Sequence, residues 1–116
     1  MNFELENKVA LVTGGSKNIG KEIALSLASE KVNIAFTYNS SENQAEETLS
    51  EIKKFGVKVK AYKLDISKFN ETQDVLQKIY NDFGNINILI NNAGFTKIKK
   101  FVETNIDDWN KQIDIS

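Results

Sequence analysis

A chain of 116 residues with 41% hydrophobic content, 27% charged content and a net charge of −1 suits one globular domain. That near-neutral balance offers no electrostatic footprint for nucleic acid or an anionic membrane surface. The absence of cysteine and histidine excludes disulfides and removes the usual zinc ligands, so no metal site is expected.

Met1-Asn-Phe-Glu-Leu-Glu6 lacks the basic and apolar regions of a signal peptide, and no apolar run approaches membrane-spanning length. A cytoplasmic location is expected. Val9 to Val12 then forms an apolar run fit for a strand buried on both faces, and Thr13, Gly14, Gly15 and Ser16 stop it with turn chemistry. A helical pattern follows at once, with Ile19, Ile23, Ala24, Leu27 and Ala28 on one face. Strand, glycine-rich turn and helix together aim free backbone N–H groups at one point, and such a point attracts phosphate.

Two phosphate motifs compete for this turn. Gly15 to Lys21 matches the G-x-x-x-x-G-K of the nucleoside-triphosphate loop, but Glu22 stands where a hydroxyl must ligate magnesium. The other is a dinucleotide turn of spacing T-G-x-x-x-G-x-G: Thr13, Gly14, then Asn18 where glycine is expected, then Gly20. A tight turn that merely needs positive φ is the plainer alternative.

Val32 to Tyr38 reads as a second strand, Asn39-Ser40 as a turn, and Ser41 with Gln44 as a capping box opening a second helix. Ala45, Thr48, Leu49, Ile52 and Phe55 line that helix's inner face, and Gly56 stops it. Val57, Val59 and Ala61 alternate with Lys58 and Lys60, the pattern of a protected sheet edge, and Leu64-Asp65-Ile66 closes this third strand. Ser67 is expected to cap a third helix carrying Phe69, Val75, Leu76, Ile79, Tyr80 and Phe83, ending at Gly84. Ile86 to Ile90 is a fourth strand, Asn91-Asn92-Ala93-Gly94 a turn, and Phe95 to Glu103 a loop. Thr104 with Asp107 is expected to cap a last helix through Trp109 and Ile113.

Strands alternating with helices imply a parallel sheet with right-handed crossovers. The loops 13–18, 38–41, 65–67 and 91–96 should then gather at one edge, where ligands bind in such sheets. A response-regulator-like domain is disfavoured, because no acidic cluster follows the first strand.

Thr13-Gly-Gly-Ser-Lys-Asn-Ile-Gly20, Asp65-Ile66 and Asn91-Asn-Ala-Gly94 together resemble the short-chain dehydrogenases/reductases, over all 116 residues. Within that family the opening, Met1 to Gly14, is most similar to 3-oxoacyl-acyl-carrier-protein reductases. The resemblance implies an α/β, Rossmann-type parallel sheet with helices on both faces and four strands in order 3-2-1-4. Residues 1–116 would be an incomplete dinucleotide-binding domain, ending within the helix after the fourth strand.

The resemblance also implies site roles. Gly14, Ser16, Lys17, Ile19 and Gly20 would cradle the pyrophosphate and adenosine ribose, with Asn18 in the same turn. Asp65 would hydrogen-bond the adenine edge, with Ile66 nearby; its plainer alternative is a cap before a helix. Asn91, Ala93 and Gly94 would line the groove beside the nicotinamide ribose, and Asn91 with Asn92 would tie strands together; a plain turn is the alternative. The place after the second strand where an NAD enzyme keeps a carboxylate holds Tyr38, Asn39, Ser40 and Ser41, with none before Glu42. Lys17 stands where the family often sets a base against a 2′-phosphate. NADP(H) is the expected cofactor.

Asn18 departs from the family's glycine, and Asn tolerates left-handed backbone better than other side chains. The family transfers its proton with a Ser and a Tyr-x-x-x-Lys further along, and Tyr38, Tyr62 and Tyr80 each lack a Lys four residues on. Ser116 falls where the family has the asparagine of its proton relay. The expectation is the cofactor half of a carbonyl reductase, inactive alone, whose parent acts on a small carbonyl, free or carrier-bound, as a homo-oligomer. The alternative is a non-catalytic half-domain that binds nucleotide or a partner. The fourth strand is expected to keep an open apolar edge that favours self-association.

Overall fold

The computed structural model describes residues 5–14, 18–65, 67–91 and 113–115; of Asn18, Phe69, Asn91 and 113–115 it describes the backbone alone. In chain order the elements are β1 (Val9–Thr13), α1 (Asn18–Ser29), β2 (Asn33–Tyr38), α2 (Glu42–Lys53), β3 (Val59–Lys63), α3 (Phe69–Phe83), β4 (Ile88–Asn91) and β5 (Ile113–Ile115). They build one sheet of order β3-β2-β1-β4-β5 in which every pairing is parallel.

Parallel strands need long crossovers, and the crossover helices cover the sheet on both sides. Ala24 and Ala28 of α1 and Ala45 and Ile52 of α2 pack with Ala10, Val12, Ile34 and Phe36 on one face. Val75, Leu76 and Ile79 of α3 pack with Leu11, Ala35, Leu64 and Leu89 on the other. β1 sits at the centre and is buried at all five positions, as its unbroken apolar run requires. The expected order 3-2-1-4 and the two-sided helical cover are both present.

Four expectations need correction. Ile19 is 67% exposed although it falls on the apolar stripe of α1, because the helix turns Gly20, Ala24 and Ala28 onto the sheet instead. Ser41 occupies the N-cap position of α2 but makes no side-chain capping bond; its carbonyl oxygen accepts the Ala45 N–H at 2.9 Å. Lys68, not Ser67, stands at the N-cap of α3, because the Ser67 hydroxyl is committed to the Asp65 carboxylate. Ile113–Ile115 is a strand rather than the tail of a helix, and it pairs with β4 through Ile88↔Ile113 and Ile90↔Ile115. The edge of β4 expected to lie open is therefore occupied. The capping residues Thr104 and Asp107, with Trp109, lie outside the described residues.

The far edge, β3, is tied down by a charged cluster from α3. Tyr62 Oη donates to Asp82 Oδ2 at 2.7 Å, Lys60 Nζ lies 3.1 Å from the same oxygen, and Lys58 donates to the Asp82 carbonyl. Lys58 also stands over the Phe83 ring, 4.8 Å from its centroid. The Tyr62 hydroxyl first, and Lys60 second, hold the Asp82 carboxyl below its ordinary value of 3.8. Burial, and then the hydrogen bond to Asp82, push the Tyr62 hydroxyl well above the usual phenol range. A carboxyl with a lowered folded pKa stabilises the fold above its unfolded pKa, and loses that effect as pH falls through the folded value. Wild type is therefore expected to exceed Asp82→Asn in stability at about pH 7 and to lose that advantage progressively as the pH is taken below 3.8, as read by urea unfolding at pH values on either side. A gap unchanged between the two pH values would contradict it.

Candidate functional site

Because all pairings are parallel, Thr13, Tyr38, Lys63 and Asn91 end their strands at one edge of the sheet. The register confirms it, with Thr13 opposite Asn91 and Tyr38 opposite Lys63. Gly14, Asn39, Ser40 and Asp65 emerge from that edge directly. The chain goes from β1 through α1 to β2 on one side, while β4 returns to the other side of β1. This reversal makes β1, beside Thr13 and Asn91, the topological switch point of the sheet, the usual ligand position in such folds.

The turn after β1 is held by backbone geometry. Gly14 takes φ 67°, the left-handed region where a side chain is strained. Its N–H donates to Thr37 Oγ1 at 3.2 Å, and Thr37 is 3% exposed. Thr13 Oγ1, itself fully buried, donates to the Ile90 carbonyl at 3.4 Å. Two buried hydroxyls thus tie the turn to the strands flanking β1. Thr37 was missed in the sequence, where it is one hydroxyl near the end of a strand; a lone polar residue in a buried apolar run is the signal that could have found it.

α1 opens at Asn18 with no acidic residue in its first turn, so its N-terminal amides meet no competing carboxylate there. Gly20 is buried, which suits close packing of helix on sheet. Ile19, Ile23, Leu27 and Ile90 contribute to an apolar groove alongside. At the end of β2, Tyr38 is half-buried and Asn39 and Ser40 are exposed. Ser40, Ser41, Glu42, Asn43 and Gln44 line an open hollow above the start of α2.

Asp65 organises the turn between β3 and α3. Its Oδ1 accepts from Ser67 Oγ at 2.7 Å and from Ser67 N–H at 3.0 Å, and its carbonyl accepts the Lys68 N–H at 3.0 Å. The Ser67 hydroxyl, then the Ser67 amide, hold its carboxyl below the ordinary range. Both side-chain bonds converge on Oδ1, so Oδ2 takes neither. Gly14, Gly20, Tyr38, Asn39, Ser40, Asp65 and the backbone of Asn18 and Asn91 are thus brought to the same edge, with Ile19 exposed beside them. Ser16, Lys17, Ile66, Asn92, Ala93 and Gly94 lie outside the described residues. Among the described residues no cluster of acidic side chains could hold a metal ion, and no helix is long and apolar enough to cross a membrane.

Fold and edge geometry define a Rossmann-type α/β chain. A family model for short chain dehydrogenases matches residues 8–116. The chain is 39% identical over 108 residues to the 3-oxoacyl-acyl-carrier-protein reductase FabG of Staphylococcus epidermidis, covering 93% of this chain and 44% of that protein. Among solved structures, a short chain dehydrogenase from Burkholderia cenocepacia in complex with NADP superposes with a TM-score of 0.74 at 35% identity, covering 78% of this chain and 37% of that one. An NAD+-bound xylitol dehydrogenase superposes with a TM-score of 0.74 at 33% identity, covering 79% of this chain and 35% of that one. The chain belongs to the short-chain dehydrogenase family, and it spans under half the length of these three relatives.

Proposed function

We propose that this chain is the nucleotide-binding portion of an NADP(H)-dependent carbonyl reductase. The parent reaction would reduce a carbonyl of the 3-oxoacyl-thioester kind, free or carrier-bound, to an alcohol in the cytoplasm, with the full-length protein a homo-oligomer. The observation that carries the reading is the left-handed Gly14 turn, braced by Thr37 and followed by the N-terminus of α1, at the sheet edge shared by Asp65 and Asn91. Such a turn fits a pyrophosphate, since it leads into the N-terminus of α1, whose first turn carries no acid.

Gly14, Ser16, Ile19 and Gly20 would hold the pyrophosphate and the neighbouring ribose. Asp65 would accept from the adenine amino group through the oxygen that Ser67 leaves available. Asn91, Asn92, Ala93 and Gly94 would wall the nicotinamide ribose. NADP(H) supplies the hydride when bound; this chain's residues position it. Asn39 and Ser40 leave room for a 2′-phosphate where a carboxylate would repel it, and Lys17 would pair with that phosphate.

The test is Lys17→Ala, titrated with NADPH by fluorescence. Affinity is expected to fall about tenfold to a hundredfold, the effect of one charge-assisted contact of roughly 1.5–3 kcal/mol. Unchanged affinity in a folded variant would remove the NADP assignment. A second reading, a half-domain that binds nucleotide or a partner without catalysis, is favoured by one observation. Tyr38, Tyr62 and Tyr80 are followed four residues later by Glu42, Ile66 and Gly84, so none is partnered for proton transfer.

A further inference from the structure

We propose that Lys63, acting through its ion pair with Glu42, is a specificity-determining residue that favours a 2′-phosphorylated nucleotide at the carboxyl end of β2. The inference rests on the nucleotide reading above. Tyr38 and Lys63 are the last residues of β2 and β3, and they are register partners. Val59 and Ala61 pack with the α1–α2 side of the sheet, as do Ile34 and Phe36. Two-residue alternation puts Lys63 and Tyr38 on that same side. There Lys63 Nζ lies 3.4 Å from Oε1 of Glu42, the residue that opens α2.

Glu42 is the first carboxylate after β2, and it borders the hollow formed with Ser40 and Ser41. An unpaired carboxylate at this corner would accept a hydrogen bond from a ribose hydroxyl and repel a dianionic phosphate. A lysine paired with it opposes both effects. The two side chains are 62% and 63% exposed, so the pair contributes little to folding and its charge remains felt by a ligand. Sequence alone cannot show this, because residues 42 and 63 meet only when β3 lies beside β2. Lys17 belongs to a different loop of the sequence, so substitution separates its contribution.

The experiment titrates the full chain with adenosine 2′,5′-bisphosphate and with 5′-AMP by calorimetry. Wild type is expected to prefer the bisphosphate. Lys63→Ala should lower the affinity ratio by about fivefold, the upper effect of an exposed charge pair, while Lys63→Arg should preserve it. Glu42→Gln should raise the ratio. A ratio unchanged in Lys63→Ala, with both probes still bound, would overturn the role of Lys63 and leave the nucleotide site standing. Failure of wild type to bind either probe would overturn both.

Discussion

Gly14→Val is expected to abolish nucleotide binding while leaving most of the fold in place. At φ 67° a β-branched residue is a steric outlier, and left-handed backbone costs an ordinary residue about 1–2 kcal/mol. The cheaper response is for the turn to change conformation, which withdraws the Gly14 N–H from Thr37 Oγ1. On the proposed reading, the turn would then no longer present its amides to a pyrophosphate. Loss of two charge-assisted bonds to a pyrophosphate would weaken NADPH by at least about a hundredfold. Gly14→Asn provides the control, because Asn enters the left-handed region more readily, and it should retain more affinity than the valine variant. Calorimetry reads the binding and far-ultraviolet circular dichroism reads the fold. A folded Gly14→Val that binds NADPH like wild type would refute the placement of the cofactor at this turn.

Phe36→Ala should be the most damaging of these substitutions to stability. Phe36 is fully buried in the middle of β2, opposite Val12 on one side and Ala61 on the other. Truncating such a ring removes transfer free energy and leaves a cavity, together about 3–5 kcal/mol. Domains of this kind hold only about 5–15 kcal/mol, so about a fifth or more of the total is at stake. The urea midpoint should fall by roughly 2–3 M. Ile19→Ala is the comparison: at 67% exposure it should change stability by less than about 0.5 kcal/mol. Equal effects at the two positions would contradict the described packing of the α1–α2 face.

Both expectations separate what local pattern could reveal from what it could not. The unbroken run of β1, the alternation of β3 and the helical spacing of α2 and α3 are short-range periodicities, and they survive folding because each reports one face of one element. Gly56 and Gly84, with φ of 79° and 80°, sit where helix stops were expected. Ile19 misled because periodicity shows which residues share a face, without showing how far the neighbouring sheet extends beneath it. Ser41 and Ser67 misled because a hydroxyl near a helix start has several acceptors and donors within reach, and for Ser67 the Asp65 carboxylate outcompeted the helix.

At the candidate site, the chain order of residues was enough to place Gly14 and Asp65 just past strand ends and Asn91 at one, where it closes β4. Parallel pairing then requires those positions to share an edge. The partner that Thr37 braces, the Lys63–Glu42 pair and the anchoring of β3 by Asp82 were invisible beforehand. Each joins residues about twenty positions apart on different elements. The identity of β5 was missed for a related reason: three residues are too few to carry a period, so their state is decided by the vacant edge of β4. The amino-acid order by itself thus determined the alternation of strands and helices and the family's turn chemistry, since both depend on near neighbours. Only the tertiary structure decided which charges and hydroxyls meet, because that depends on which strands lie side by side.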